Sequence, residues 1–501
     1  MKKLISLLLV FLLTFSLCAC GAAETQEDNA TQETTSSTIA PTEPSEDPNL
    51  NVFQVGFNRQ SILPSNPIGV QIAGGDAANR ICSGFQDEVS ATCIAFSKNG
   101  ETYLVYTCDF MVLYDSIIAP VKSAISGATG VPYENILINC THTHSGVNIL
   151  SLNWNGAQEY RDLFSKRCVK AAEKAIKDLT PATISYGSTL TEGLTFVRHY
   201  NKVDGTTYGN GHGTYNGDPE TLKENMYAAD TELQLIRFTR EGEKDIVIAS
   251  FPCHATTVNS THITELSACF PGVFRETLEA EQGVHCAFFQ GASGDQIPFS
   301  YVKGISKVWP QNHRTFGTLL AEYAMGIEMK PMADDALVFN RWEYTGKAMK
   351  EGADDIIRVN QARELQNLAA SLGGYSHPKV TEKAAEYGFS NYLDADGLAK
   401  RADAPETRTM KLVAMQLGSE VSMVFAPYEM FGMHGKYIKD NSPFEMDFIV
   451  TCSEDYQGYF PHLQGCEESF YEYDVTKYER GSGEKLAEIF ANTLTEMKNA
   501  G

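Results

Sequence analysis

The sequence contains no C-x-x-C pair among its twelve cysteines, so the paired-thiolate framework of a zinc ribbon is excluded. It is short of basic residues: 40 Lys and Arg stand against 63 Asp and Glu, a formal net charge of −23. That deficit argues against a nucleic-acid partner and against an electrostatic grip on anionic membrane, both of which need clustered cations. It is compatible with a neutral, cationic or metal-assisted substrate. No internal repeat is present, which removes solenoid architectures. Nor is there a membrane-spanning apolar run, since the stretch Leu4 to Leu17 falls short of the ~20 residues a spanning helix needs. What remains is an ordinary globular composition, 43% hydrophobic and 21% charged, long enough for a large core.

The N-terminus carries an address. Met1-Lys2-Lys3 is a positive region, Leu4 to Leu17 an apolar region of signal-peptide length. They end in Leu17-Cys18-Ala19-Cys20-Gly21, which resembles a bacterial lipoprotein cleavage box with Cys20 as the lipidated residue. The expectation is an extracytoplasmic protein of the bacterial cell envelope, tethered to the membrane by acyl chains on Cys20. Residues 21–50 hold seven acidic residues and no basic one among many Thr, Ser and Pro. Such a stretch cannot bury enough apolar surface to order itself, and it reads as a linker.

The folded part, 51–501, alternates helical and strand patterns. Ala91 to Ser97 and Thr102 to Phe110 are β-rich runs around Lys98-Asn99-Gly100-Glu101, a hairpin signal. Asp115 to Ser126 has helical spacing, and Ile136 to Cys140 is a short buried-type strand. Glu159 to Leu179 is a helix, followed by the strand-like Ala182 to Tyr186. Glu232 to Thr239 and Asp245 to Phe251 form a second hairpin. The pattern predicts an α/β fold: one large domain with a mixed β-sheet core and outer helices. Residues 341–405 read as a polar helical excursion, either a lid or plain outer-layer helices.

Five strands deliver polar groups just past their C-terminal ends. Ile136 to Cys140 runs into Thr141-His142-Thr143-His144-Ser145-Gly146, and Asp245 to Phe251 into Pro252-Cys253-His254. Val284 to Phe289 runs into Gln290-Gly291-Ala292-Ser293-Gly294-Asp295, and Val421 to Phe425 into Pro427-Tyr428-Glu429. Phe448 to Val450 leads to Tyr456-Gln457-Gly458-Tyr459. In α/β folds that edge is where sites assemble, because rigid strands fix the groups and loops let them converge. Taken singly, His254 reads as a satisfied core histidine, Glu429 as a loop carboxylate and Tyr459 as a packing aromatic. Taken together, His142, His254 and Glu429 make a two-nitrogen, one-oxygen ligand set with a position open for water. Zinc at such a set lowers the pKa of its water toward ~7 and polarises a carbonyl.

These segments resemble, in order, those of the neutral/alkaline non-lysosomal ceramidase family. The six residues Thr141 to Gly146 match its Thr-His-Thr-His-Ser-Gly motif. Phe251-Pro252-Cys253-His254, Gly294-Asp295 with Pro298, Pro427-Tyr428-Glu429 and Tyr456 to Tyr459 match its later segments, and Phe470-Tyr471-Glu472 its closing Tyr-Glu. The resemblance implies Zn2+ held by His142, His254, Glu429 and Tyr459. It implies His144 as a proton carrier and Arg198 as the arginine that holds substrate. The implied reaction is hydrolysis of the ceramide amide to sphingosine and fatty acid. Three features depart from the family. Ile297 occupies the position of its loop serine, Cys269 that of an aspartate, and the sequence stops where its C-terminal β-sandwich would begin. These departures bear on the substrate and leave metal chemistry intact, so another N-acyl compound or an ester is the rival substrate. The rival from another class is a metal- or solute-binding lipoprotein without catalysis, which would have no use for His144.

Overall fold

The computed structural model describes residues 51–74, 80–209, 217–258, 262–308, 312–467 and 470–500, apart from the side chains of residues 466 and 467. The signal segment, Cys20 and the acidic linker lie outside these residues. Asn99 and Gly100 take left-handed backbone, φ 53° and 77°, and close the first hairpin between strands Ser90–Lys98 and Glu101–Cys108. That twist is what a two-residue turn needs, and these residue types adopt it most readily. The second hairpin joins Glu232–Arg240 to Ile246–Phe251.

Both hairpins belong to one sheet, nine-stranded among the described residues. Its spatial order is His285–Gln290, Ile246–Phe251, Glu232–Arg240, Thr180–Leu190, Gln54–Ser61, Ser90–Lys98, Glu101–Cys108, Ile136–Cys140, with Lys330–Pro331 beside Thr180–Leu190. The two outermost pairs are parallel, the rest antiparallel. Parallel neighbours require a crossover, supplied by helix Cys269–Gln282 at one edge and Asp115–Thr129 at the other. A second sheet holds Leu337–Lys347, Thr407–Leu417, Val421–Phe425 and Met446–Val450. Its last two strands are also parallel and are joined through helix Gly432–Asn441. Each parallel pair sends two chain ends out on one side, which is how loops distant in sequence come together.

The two sheets pack face to face. Phe53, Ile94, Phe96 and Phe238 from one meet Met415, Met423, Phe425 and Phe448 from the other in one buried core. Helices Asp115–Thr129 and Ala157–Lys177, with Cys269–Gln282 and His313–Met325, cover the outer face of the first sheet. Gly432–Asn441 and Ser482–Ala500 cover that of the second. The α/β class with outer helices is as expected. The division of the core into two sheets is new, because a strand pattern does not say which strands pair. The nine cysteines with described side chains are unpaired, buried thiols.

The excursion at 341–405 needs one correction. Arg341 to Lys347 complete the edge strand Leu337–Lys347 rather than a helix. That strand is half exposed, and Arg341, Glu343 and Lys347 give it the polar look of a surface helix. The helices that follow, Ile356–Ser371, Pro378–Glu386 and Tyr392–Ala402, share a small core around Val359, Leu365, Val380 and Leu398.

Candidate active site

The Ile136–Cys140 strand is followed by Thr141, and the next residue, His142, turns out of line with φ 61°. Left-handed backbone at a non-glycine residue costs of order 1–3 kcal/mol and persists only where the surroundings impose it. Here Thr141 N donates to Cys108 O (2.9 Å) and Thr141 Oγ1 to Asp109 Oδ1 (3.1 Å). Asp109 is fully buried, accepts from Ser90 N at 2.8 Å, and meets both guanidinium nitrogens of Arg275 at 2.9 and 2.8 Å. Gly146 packs so closely that a Cβ there would stand 2.7 Å from Asp109 O. Asp109→Asn is therefore expected to leave Arg275 buried without its counter-charge, at a cost of about 3–5 kcal/mol, read from urea unfolding at neutral pH.

The ring nitrogens and oxygens of four elements converge. Glu429 Oε2 lies 3.2 Å from His142 Nε2 and 3.1 Å from His254 Nε2. His254 Nε2 is 3.4 Å from Tyr459 OH, and His144 Nε2 is 3.3 Å from His142 Nε2. Glu429 and Tyr459 are brought side by side by a short parallel pairing of Glu429–Met430 with Tyr459–Phe460. Glu429 Oε2 is buried and has no well-aligned hydrogen bond, although both imidazoles lie within ion-pair distance. The atoms thus share a common focus instead of aiming at one another. Ligands of a tetrahedral ion with bonds of ~2.0–2.2 Å lie roughly 3.3–3.6 Å apart, close to the spacings seen here. The donor set fits a metal ion.

The other ring nitrogens are fixed from behind. His142 Nδ1 faces Met111 O at 2.8 Å and His254 Nδ1 faces Ser293 O at 2.6 Å, so both rings present Nε2 to the focus. Tyr456 OH donates to Glu429 Oε1 at 2.6 Å. Burial opposes charge throughout the cluster, yet Glu429, then Cys452, raise His142 well above the ordinary imidazole range. Burial, His142 and His254 hold His144 well below it, and burial foremost lowers His254. Burial alone would raise Glu429, but His142 and His254 outweigh it and keep the carboxyl well below its usual range. A divalent cation held at the focus would balance the Glu429 carboxylate and favour neutral imidazoles.

The structure brings His142, His254, Glu429 and Tyr459 together. His144 joins the same group: the donor atoms of His142, His144 and His254 all lie within 4.8 Å of one another. His144 is half-buried, whereas the other four are buried. Arg198 stands one step behind. It is buried, its Nε donates to Glu472 Oε1 at 2.6 Å and its Nη2 to Gly294 O at 2.7 Å. Its guanidinium lies 5.4 Å from the Tyr459 ring and 5.8 Å from the Tyr471 ring. Sequence reasoning missed Asp109, Arg275 and Tyr456 as supports, and also Arg80, whose Nη1 donates to His144 O at 2.7 Å. Two charged residues in opposite-sign partnership 166 positions apart, as Asp109 and Arg275 are, leave no local signal.

The departures from the motif pattern also have places. Ile297 is buried and pairs with Phe196 in a short antiparallel contact. Ser293 Oγ accepts from Gln290 Nε2 at 2.6 Å, so that hydroxyl is engaged. Cys269 has φ 59°, opens its helix and accepts from Thr257 N at 3.2 Å, with burial pushing its thiol up to about 11. Asp295 accepts from Gly432 N and Tyr227 OH, both at 2.7 Å, as a loop-holding carboxylate.

A two-sheet α/β sandwich with a metal-competent histidine, glutamate and tyrosine cluster at its strand ends is the class that fold and site define. The same fold occurs in solved neutral ceramidase structures. Over 90% of this chain and 75% of the other, it matches neutral ceramidase from Pseudomonas aeruginosa with a TM-score of 0.65 and 15% identity. A ceramidase complexed with C2 matches equally, with a TM-score of 0.65 and 15% identity over 90% and 76% of the two chains. No protein-family profile and no curated protein sequence matches the chain. The chain has the neutral ceramidase fold.

Proposed function

We propose that the protein is a zinc-dependent, extracytoplasmic hydrolase that cleaves the amide bond of a ceramide-like N-acyl lipid. The observation that carries this reading is the convergence of Glu429 Oε2 with His142 Nε2 and His254 Nε2, at 3.2 and 3.1 Å, on a chain with the neutral ceramidase fold. A zinc ion held by His142, His254, Glu429 and Tyr459 supplies Lewis acidity for the amide carbonyl and an activated water. His144, uncharged and half-buried beside the focus, accepts a proton at Nε2 and returns it to the leaving nitrogen. Arg198, kept charged chiefly by Glu472 against burial, places positive charge behind Tyr459. A lipid anchor on Cys20 would hold this site near a membrane-borne substrate, and Cys20→Ser is expected to abolish incorporation of labelled fatty acid into the chain.

A second substrate reading has one observation in its favour. Ile297, apolar and buried, stands where the family resembled has serine, which suits another N-acyl compound or an ester at the same metal site. The deciding experiment is fatty-acid release from ceramide by the zinc-loaded protein, with a chelated control. Chelator-sensitive release supports the ceramide reading. Release only from an N-acyl or ester panel supports the second. One zinc per chain with no turnover on any of them would leave a binding protein and refute both.

A further inference from the structure

Beside the chain segment that carries the site tyrosines lies a separate cavity. It has a volume of about 90 Å³ and is walled by helix Tyr392–Ala402 and residues 474–477. A single water needs roughly 10–15 Å³ of such space, so the cavity has room for a compact polyatomic ion. Four cations line it, Lys400, Arg401, Arg408 and Lys477, against two carboxyls, Asp396 and Asp474. Such a surplus of positive charge is out of keeping with a chain of net charge −23.

The donors there are unmatched. Arg401 is 7% exposed, and its buried Nε and Nη2 have no hydrogen-bond partner; neither does the buried Nε of Arg408. The Arg401 head is held by Nη1 at 3.4 Å from Glu351 O and by the Tyr473 ring 4.9 Å away, contacts that do not engage Nε or Nη2. Orphaned, buried, charged donors are uncommon in folded proteins and point to an ion or water that completes them. The carboxyls do not complete them. Asp396 pairs with Lys400 and accepts from Gln366 Nε2 at 2.8 Å. Burial, then Asp394, push Asp474 up to about 7 in spite of Arg401, so its negative charge is weakly held.

We infer that this cavity binds a small tetrahedral oxyanion of the phosphate kind, gripped by the guanidinium forks of Arg401 and Arg408 with Lys477 adding charge. Guanidinium geometry matches phosphate oxygens two at a time, which a lone ammonium does not. Lys477 Nζ also donates to Tyr456 O at 3.0 Å, and Thr476 Oγ1 to Tyr459 O at 2.8 Å, so the occupied cavity would brace the strand end that holds Tyr459. The inference concerns binding alone and does not depend on the reaction proposed above.

The test is calorimetric titration of the full-length protein with inorganic phosphate, with sodium chloride at equal ionic strength as control. The expected result is saturable binding of one phosphate per chain with a Kd below about 1 mM, and a matching rise in Tm. Arg408→Gln should weaken it at least tenfold, while Lys303→Gln, at an exposed surface pair, leaves it unchanged. Because Arg401 also packs on Tyr473, its variant is Arg401→Lys, which keeps the charge, loses the fork and should weaken binding as well. Glycerol phosphate distinguishes the sources: tighter binding than phosphate identifies a lipid headgroup, weaker binding a free ion. No saturable heat with the wild-type protein, or an undiminished affinity in Arg408→Gln, would overturn the inference.

Discussion

His142→Ala is expected to lose the metal and the turnover together. His142 Nε2 is 3.2 Å from Glu429 Oε2 and 3.3 Å from His144 Nε2, so its imidazole occupies the middle of the cluster. Loss of an outer-shell partner of a metal ligand costs roughly 10–100-fold in affinity or activity, and loss of a ligand costs more. Metal content measured on the purified variant should therefore fall from one per chain to a trace, with activity reduced more than about 100-fold. His144→Ala should behave differently: metal retained, rate lowered by roughly 10²–10⁴-fold, as for a missing general acid or base. Loss of metal from His144→Ala as well would move that histidine into the ligand set. Normal turnover in both variants would refute the assigned site.

Glu472→Gln is expected to destabilise the fold as strongly as Asp109→Asn. Glu472 is completely buried, accepts from Arg198 Nε at 2.6 Å and lies 3.1 Å from His199 Nε2. Removing its charge leaves the Arg198 guanidinium buried without its counter-ion, at a cost of about 3–5 kcal/mol. Burial would raise the Glu472 carboxyl, but Arg198 and then His199 outweigh it and hold the group at about 2, against an ordinary value of 4.5. A carboxyl depressed in the folded state contributes stability that is complete above its unfolded pKa. That contribution is lost as pH falls from 4.5 toward 2. Urea unfolding at successive pH values should show the wild-type protein losing about 3 kcal/mol more than Glu472→Gln across this window. Equal losses in the two proteins would show that Arg198 is balanced elsewhere.

Much of the site was legible because its residues sit where regular patterns break. The run Ile136 to Cys140 is wholly apolar, so the histidines two and four residues beyond it mark a strand end on sight. His254 stands in the same relation to the Ile246–Phe251 strand, and Glu429 to Val421–Phe425. That these ends meet was not legible. It depends on two sheets stacking through Phe96, Phe238, Met423 and Phe448, and apolar alternation is blind to the identity of the opposite face. The outer supports were hidden for a similar reason. Tyr456 looked like part of a motif, and only the folded chain aims its hydroxyl at Glu429. Arg341 to Lys347 misled because an edge strand open to solvent carries the same charges as a helix surface.

The four site residues are divided evenly along the chain. The first sheet is complete by Pro331 and provides His142 and His254; the second begins at Leu337 and provides Glu429 and Tyr459. A polypeptide cut between residues 332 and 336 therefore yields two fragments, each with half a coordination sphere and one exposed sheet face. Neither half could bind the ion tightly alone, whereas the reunited pair could. Metal uptake by co-expressed fragments would then report their reassembly, and chelation would favour their separation. An ion bound there would act as a rivet between the two sheets, and its affinity would carry part of the free energy that keeps them face to face.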